Sequence, residues 1–144
     1  MTVRQPHEAI VVVRRGAEFL VLHRTERYGA YWHLVAGGVD DGETAAEAAA
    51  RELAEEVALV AEVADLGRPF RYPLDEESDA VRARFAAGVA EVRVDAFLAE
   101  APPGWEPTLN EEHDDARWCS AADAQALLYW PEPRELVAAV AAGG

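Results

Sequence analysis

Three glutamates crowd one short stretch of this sequence: Glu52, Glu55 and Glu56 in "RELAEE". On a helix, the spacing i, i+3 and i+4 puts their carboxylates on one face. Like charges at i and i+4 cost about 0.2–0.5 kcal/mol per pair. The cluster also falls in the last two turns of the helix it would occupy. There the carbonyl end of the helix dipole opposes each anion by about 0.3–1 kcal/mol. Selection for stability alone would place lysine or arginine at these positions. A solvated acidic face is the plain alternative in an acidic chain, but a bound divalent cation would offset the cost. An all-oxygen site of this kind suits Mg²⁺ or Mn²⁺, which keep several waters and commonly bind substrate phosphates.

The neighbouring residues fit that chemistry. Gly37 and Gly38 allow a tight turn and a close backbone approach. A carbonyl in such a turn can serve as a further oxygen ligand. Arg51 lies one turn before Glu55 and can hold a carboxylate through paired hydrogen bonds. Taken alone, Arg51 reads as an ordinary surface ion pair.

These residues need elements to position them. Thr44 to Val57 reads as a helix, with Thr44 and Glu47 forming a capping box at its start. Its expected buried stripe is Ala46, Ala49, Ala50, Leu53 and Val57. "HEAIVVVRR" and "EFLVLHR" read as two strands joined at Gly16, and "YWHLVA" as a third, stopped by Gly37 and Gly38. A strand is expected near Leu59 to Leu66, and "GVAEVRVDAFLAE" alternates like a half-buried one. "RYPLDEESDAVRAR" carries no clear assignment. "HDDARWCS" is a short strand, Ser120 begins a helix, and Pro133 to Ala142 forms a last one. Interleaved strands and helices give an α/β class.

The chain has 144 residues, half of them apolar and 28% charged, which suits one globular domain over 1–144. Its net charge of −14 argues against a nucleic-acid polymer or a membrane surface as partner. An anionic small molecule is not excluded, but it would need cations between itself and the protein. "AIVVV" is far too short to span a bilayer, and "MTVRQPHEAI" lacks the apolar core of a secretory signal, so a cytoplasmic protein is expected. Cys119 is the single cysteine, which leaves no internal disulfide and reads as a buried thiol.

The stretch from Gly37 to Leu59 resembles the Nudix hydrolase signature, G-x5-E-x7-R-E-U-x-E-E-x-G-U, where U is a bulky aliphatic. Gly37, Glu43, Arg51, Glu52, Leu53, Glu55, Glu56 and Leu59 fall in register. Ala58 departs from the pattern, standing where a glycine normally permits a left-handed turn. The resemblance implies a Nudix α/β/α sandwich around a mixed sheet. It implies that Glu52, Glu55 and Glu56, with the Gly37 carbonyl, hold Mg²⁺ or Mn²⁺, while Gly38, Glu43 and Arg51 shape and brace the loop. It further implies hydrolysis of a diphosphate linkage by an activated water. The sequence itself is silent on oligomerisation, although the resemblance is to a family that often forms homodimers.

The base is open between a box glutamate and a later one, Glu111 or Glu112 in "NEEHDD". The tail resembles the bacterial dihydroneopterin triphosphate diphosphatase branch in Glu112-His113, Trp118, the helix Ala121 to Leu128, and Trp130. That favours Glu112 as an extra metal ligand or base. The implied substrate is a nucleoside or pterin triphosphate cut to release pyrophosphate. Cleanup of modified nucleotides, hydrolysis of ADP-sugars and a non-catalytic binding domain are the alternatives. Arg24 and Arg27 can meet phosphates, and Tyr28, Tyr31 or Trp32 can stack on a flat ring. His23, His33 and His113 take no assigned role.

Overall fold

The computed structural model describes residues 4–75, 77 and 79–143. The first two aliphatic runs form β1 (His7–Arg15) and β2 (Glu18–Arg24), turning at the left-handed Gly16. β3 (Trp32–His33) and β4 (Val35–Gly38) follow, then helix α1 (Ala45–Val57). β5 (Ala64–Asp65) and β6 (Phe70–Pro73) lead to the short helix α2 (Asp79–Arg82). β7 (Glu91–Glu100), β8 (His113–Cys119), α3 (Ala121–Leu127) and α4 (Pro131–Ala141) complete the chain. The unassigned charged stretch thus supplies β6 and α2, except for Glu76 and Ser78, which lie outside the described residues.

Among the described residues eight strands form one connected mixed sheet. β1 is its pivot. It runs parallel to β7, from His7 opposite Arg93 to Arg14 opposite Glu100, and antiparallel to β4. β2 pairs with β8 along nearly its whole length. Alternation along β1 sends Ala9, Val11 and Val13 to one face, where they meet Ala48, Ala49, Leu53 and Val57 of α1. Ile10 and Val12 point to the other face, against Leu136, Val137 and Val140 of α4. Helices therefore cover both faces, giving the α/β/α sandwich around a mixed sheet. Each fully buried leucine or valine contributes about 1.5–3 kcal/mol. Cys119 is a free thiol packed in the second core.

Several local expectations are corrected. The buried stripe of α1 is Ala48, Ala49, Glu52, Leu53, Glu56 and Val57, while Ala46 and Ala50 are exposed. Apolarity alone misplaced the stripe, because two carboxylates share the face that turns inward. Gly37 and Gly38 do not stop a strand or make a tight turn. They belong to β4, opposite Ala9 and Glu8, and neither takes a left-handed conformation. The run at 59–66 keeps only Ala64 and Asp65 in a strand. The last helix starts earlier, because Pro131 suits the first turn, where its missing N–H has no helical partner to lose.

Candidate active site

The Thr44 side chain accepts from the Glu47 N–H at 3.1 Å, and Glu47 accepts from the Thr44 N–H at 2.9 Å. This reciprocal cap fixes where α1 begins and hence which face it buries. The far end stops at Ala58, whose φ of 62° is left-handed. The missing signature glycine is replaced by an alanine that adopts the glycine's conformation. Such a residue costs about 1–2 kcal/mol.

Between these ends, Glu52 and Glu56 turn toward the sheet. The Glu52 carboxylate lies against Gly37, in the space a Cβ there would fill. Only glycine admits it, so the requirement at 37 is close approach rather than a turn. Glu56 is 2% exposed, and its Oε2 has no hydrogen-bond partner. Burial raises Glu56 well above the ordinary carboxyl range, helped by the neighbouring Glu52 and Glu112 charges. Burial also raises Glu52, which Arg51 partly offsets.

Glu55 does not join this pair. It lies half-exposed, accepting from Arg51 Nη1 at 3.3 Å. Among the described residues no three His, Cys, Asp or Glu side chains are gathered as a ready cation cage. A cation here would rest on Glu52 and Glu56, completed by backbone oxygen, water and substrate. Those two fit it: they are hard oxygen donors, buried, mutually repelling, and one oxygen is unsatisfied.

Arg51 ties the preceding loop to the helix. It donates to Glu43 through Nε at 2.8 Å and Nη2 at 3.0 Å, to the Gly38 carbonyl at 2.8 Å, and to Glu52 at 2.8 Å. Glu43 also accepts from the Asp40 N–H at 2.9 Å. The paired Arg51 contact holds Glu43 below the usual carboxylate range.

A second group of residues arrives from the sheet. Leu20 and Leu22 of β2 face α1, so Arg24 does too. His113 of β8 pairs opposite Arg24, and His33 of β3 opposite Leu22. His113 Nε2 stands 3.7 Å from Glu56 Oε1. Arg24 Nε, His33 Nδ1 and His113 Nδ1 are buried without partners. Burial and the Arg24 charge push His113 down to about 4 and His33 to about 3, so both are neutral near pH 7. Glu112 is half-buried and close enough to Glu56 to act on its charge, whereas Glu111 is exposed. The Glu112 carbonyl accepts from the Thr25 N–H at 3.0 Å, and its side chain meets Asn110 at 3.2 Å.

The structure thus brings together Gly37, Glu52, Glu56, Glu112 and Arg24, with Glu43, Gly38 and Arg51 behind them. Tyr28 lies beside Arg24, ring centre 5.6 Å from the guanidinium. Trp32 is elsewhere: it packs on the opposite face, between His23 and Arg117. His33 and His113 went unassigned from sequence, although the period-two run Leu20, Leu22, Arg24 marks the face they share. The concave surfaces lined by Arg68, Phe70 and Leu136, and by Val63 and Leu98, contain none of these groups.

This fold, with paired inward glutamates on one helix braced by an arginine, defines a Nudix-type domain. Residues 4–140 match the NUDIX domain family, and the chain belongs to it. The E. coli dihydroneopterin triphosphate pyrophosphohydrolase superposes with a TM-score of 0.84 at 25% identity, covering 100% of both chains. An RNA pyrophosphohydrolase of Aeromonas hydrophila is 30% identical over 92% of this chain and 75% of its own length. An octanoyltransferase of Myxococcus xanthus is 34% identical over 88% of this chain. The match spans only 34% of that protein's length. No described helix is long and apolar enough to cross a membrane.

Proposed function

We propose that this chain hydrolyses a diphosphate linkage in a nucleoside or pterin triphosphate, releasing pyrophosphate, with Mg²⁺ or Mn²⁺ as cofactor. The observation that carries the reading is the buried pair Glu52 and Glu56: the Glu52 carboxylate lies against Gly37, and Glu56 Oε2 has no hydrogen-bond partner. Glu52, Glu56 and the Gly37 carbonyl would hold the cation, with Glu55 and Glu112 reaching it after side-chain rotation. When bound, the cation neutralises phosphate charge and acidifies a water. Glu112, whose charge acts on Glu56 from outside the helix, would take a proton from the attacking water. Arg24 faces the same space and supplies positive charge to the phosphates. Arg51 and Glu43 keep the β4–α1 loop and Glu52 in place through the contacts above.

The net charge of −14 favours a small substrate over an RNA end, since a long polyanion would meet the rest of the acidic surface. The likeness to the pterin triphosphate enzyme over the full chain points the same way. The test is incubation with Mg²⁺ and a panel of dihydroneopterin triphosphate, nucleoside triphosphates, ADP-sugars and 5′-triphosphorylated RNA, with phosphate and pyrophosphate measured separately. Pyrophosphate release from a small triphosphate is the expected result. No hydrolysis of any panel member would refute the enzyme reading.

A further inference from the structure

We propose that Tyr31, Tyr129 and Trp130 form the wall on which the flat heterocycle of the substrate stacks, a reading that rests on the polyphosphate chemistry above. Tyr129 is 58% exposed and Trp130 38% exposed, yet they are not scattered surface residues. Their ring centres are 4.8 Å apart, and that of Tyr31 is 5.4 Å from Tyr129 and 6.1 Å from Trp130. The Tyr129 N–H donates to the Trp32 carbonyl at 3.2 Å, fastening this α3–α4 junction to the edge of β3.

Tyr31 is aimed by its backbone. Gly29 and Ala30 are both left-handed, with φ of 108° and 55°. A Cβ on Gly29 would come within 2.7 Å of the Tyr31 ring. The left-handed Gly29 and Ala30 set the direction in which the Tyr31 ring leaves the chain, and the ring lies where a side chain on Gly29 would stand.

The cluster is continuous with the glutamate site through Arg24. Arg24 donates to the Tyr31 hydroxyl at 3.3 Å and lies 5.5 Å from its ring centre. Arg24 is also paired across the sheet with His113, whose Nε2 stands 3.7 Å from Glu56 Oε1. Among the described residues, neither Arg24 nor Arg27 pairs with a carboxylate. The surface therefore offers unpaired cations at one end and amphipathic ring faces at the other. A ligand complementary to it is anionic at one end and planar and conjugated at the other, as a purine or pterin polyphosphate is. Trp32, on the opposite face of the sheet, has no part in this wall.

Calorimetric titration with Mg²⁺ and two probes, α,β-methylene GTP and inorganic tripolyphosphate, tests the proposal. The ring should give the wild type at least about a tenfold advantage for the GTP analogue. Combining Tyr129→Ala with Trp130→Ala should bring the two probes within about threefold of each other, and Trp32→Phe should keep the advantage. Circular dichroism checks folding, and Tyr129→Ala alone should give an intermediate loss. The proposal is overturned if the wild type shows no ring advantage, if the double variant keeps it, or if Trp32→Phe loses it. Hydrolysis of the substrate panel by the same wild-type sample is scored separately. Ring preference with no hydrolysis of any panel member leaves this wall standing and sinks the enzyme reading; hydrolysis with a preference that the double variant does not move does the reverse.

Discussion

The Glu52 carboxylate occupies the volume that a side chain on Gly37 would need. Gly37→Ala should leave the fold intact, because the clashing atoms are the far end of a flexible side chain. The displaced carboxylate should cost about 100-fold in kcat/KM. Steady-state kinetics beside a thermal melt check this; full activity would mean that the approach of Glu52 to Gly37 is incidental.

Glu56 makes the metal-free protein less stable than it need be. Its raised pKa means that the folded state binds the extra proton, so stability falls as pH rises from about 4.5 through the native value. In EDTA at pH 7.5, Glu56→Gln should melt about 3 °C higher than wild type, roughly 1 kcal/mol. The gap should shrink toward pH 4.5. Turnover should be lost in the same variant. A variant that melts below wild type at every pH would remove the case for stored repulsion.

On the acid side, His33 and His113 dominate. Each is depressed in the folded state, to about 3 and about 4. Their contribution is full above the unfolded value near 6.5 and is lost as pH falls toward those numbers. Urea midpoints should therefore drop between about pH 6.5 and 4 in Glu56→Gln, where the opposing carboxyl is gone. Adding His113→Gln should flatten part of that drop; an unchanged slope would show that His113 is not buried neutral.

Ala58→Gly should stabilise the protein by about 1 kcal/mol, since glycine accepts the left-handed conformation that alanine tolerates poorly. Denaturant unfolding measures it. Destabilisation would mean that the Ala58 methyl makes a contact outweighing its strain.

Much of this arrangement was legible before folding. The capping box at Thr44 and Glu47, the register from Gly37 to Leu59, and the cap at Ser120 are local signals, and each element begins where its residues said. Reading Gly37 as a turn failed because a glycine reports freedom without saying whether φ or close approach requires it. Ala46 and Ala50 were assigned inward because apolarity is a weak guide on an alanine-rich helix. The inward turn of Glu52 and Glu56 runs against any hydrophobic rule. Trp32, His33 and His113 depend on which sheet face each residue takes, and that follows from pairings between distant strands.

The segment between β7 and β8 is stapled down on its way to the centre. Thr108 N–H bonds the Val57 carbonyl at the end of α1, while Arg15 lies over Trp118 and grips Glu106. The same segment leads into β8, where His113 Nε2 stands 3.7 Å from Glu56 Oε1. The acidic face of α1 and the histidine that meets it thus come from opposite halves of the chain, joined by contacts that no local stretch of sequence contains.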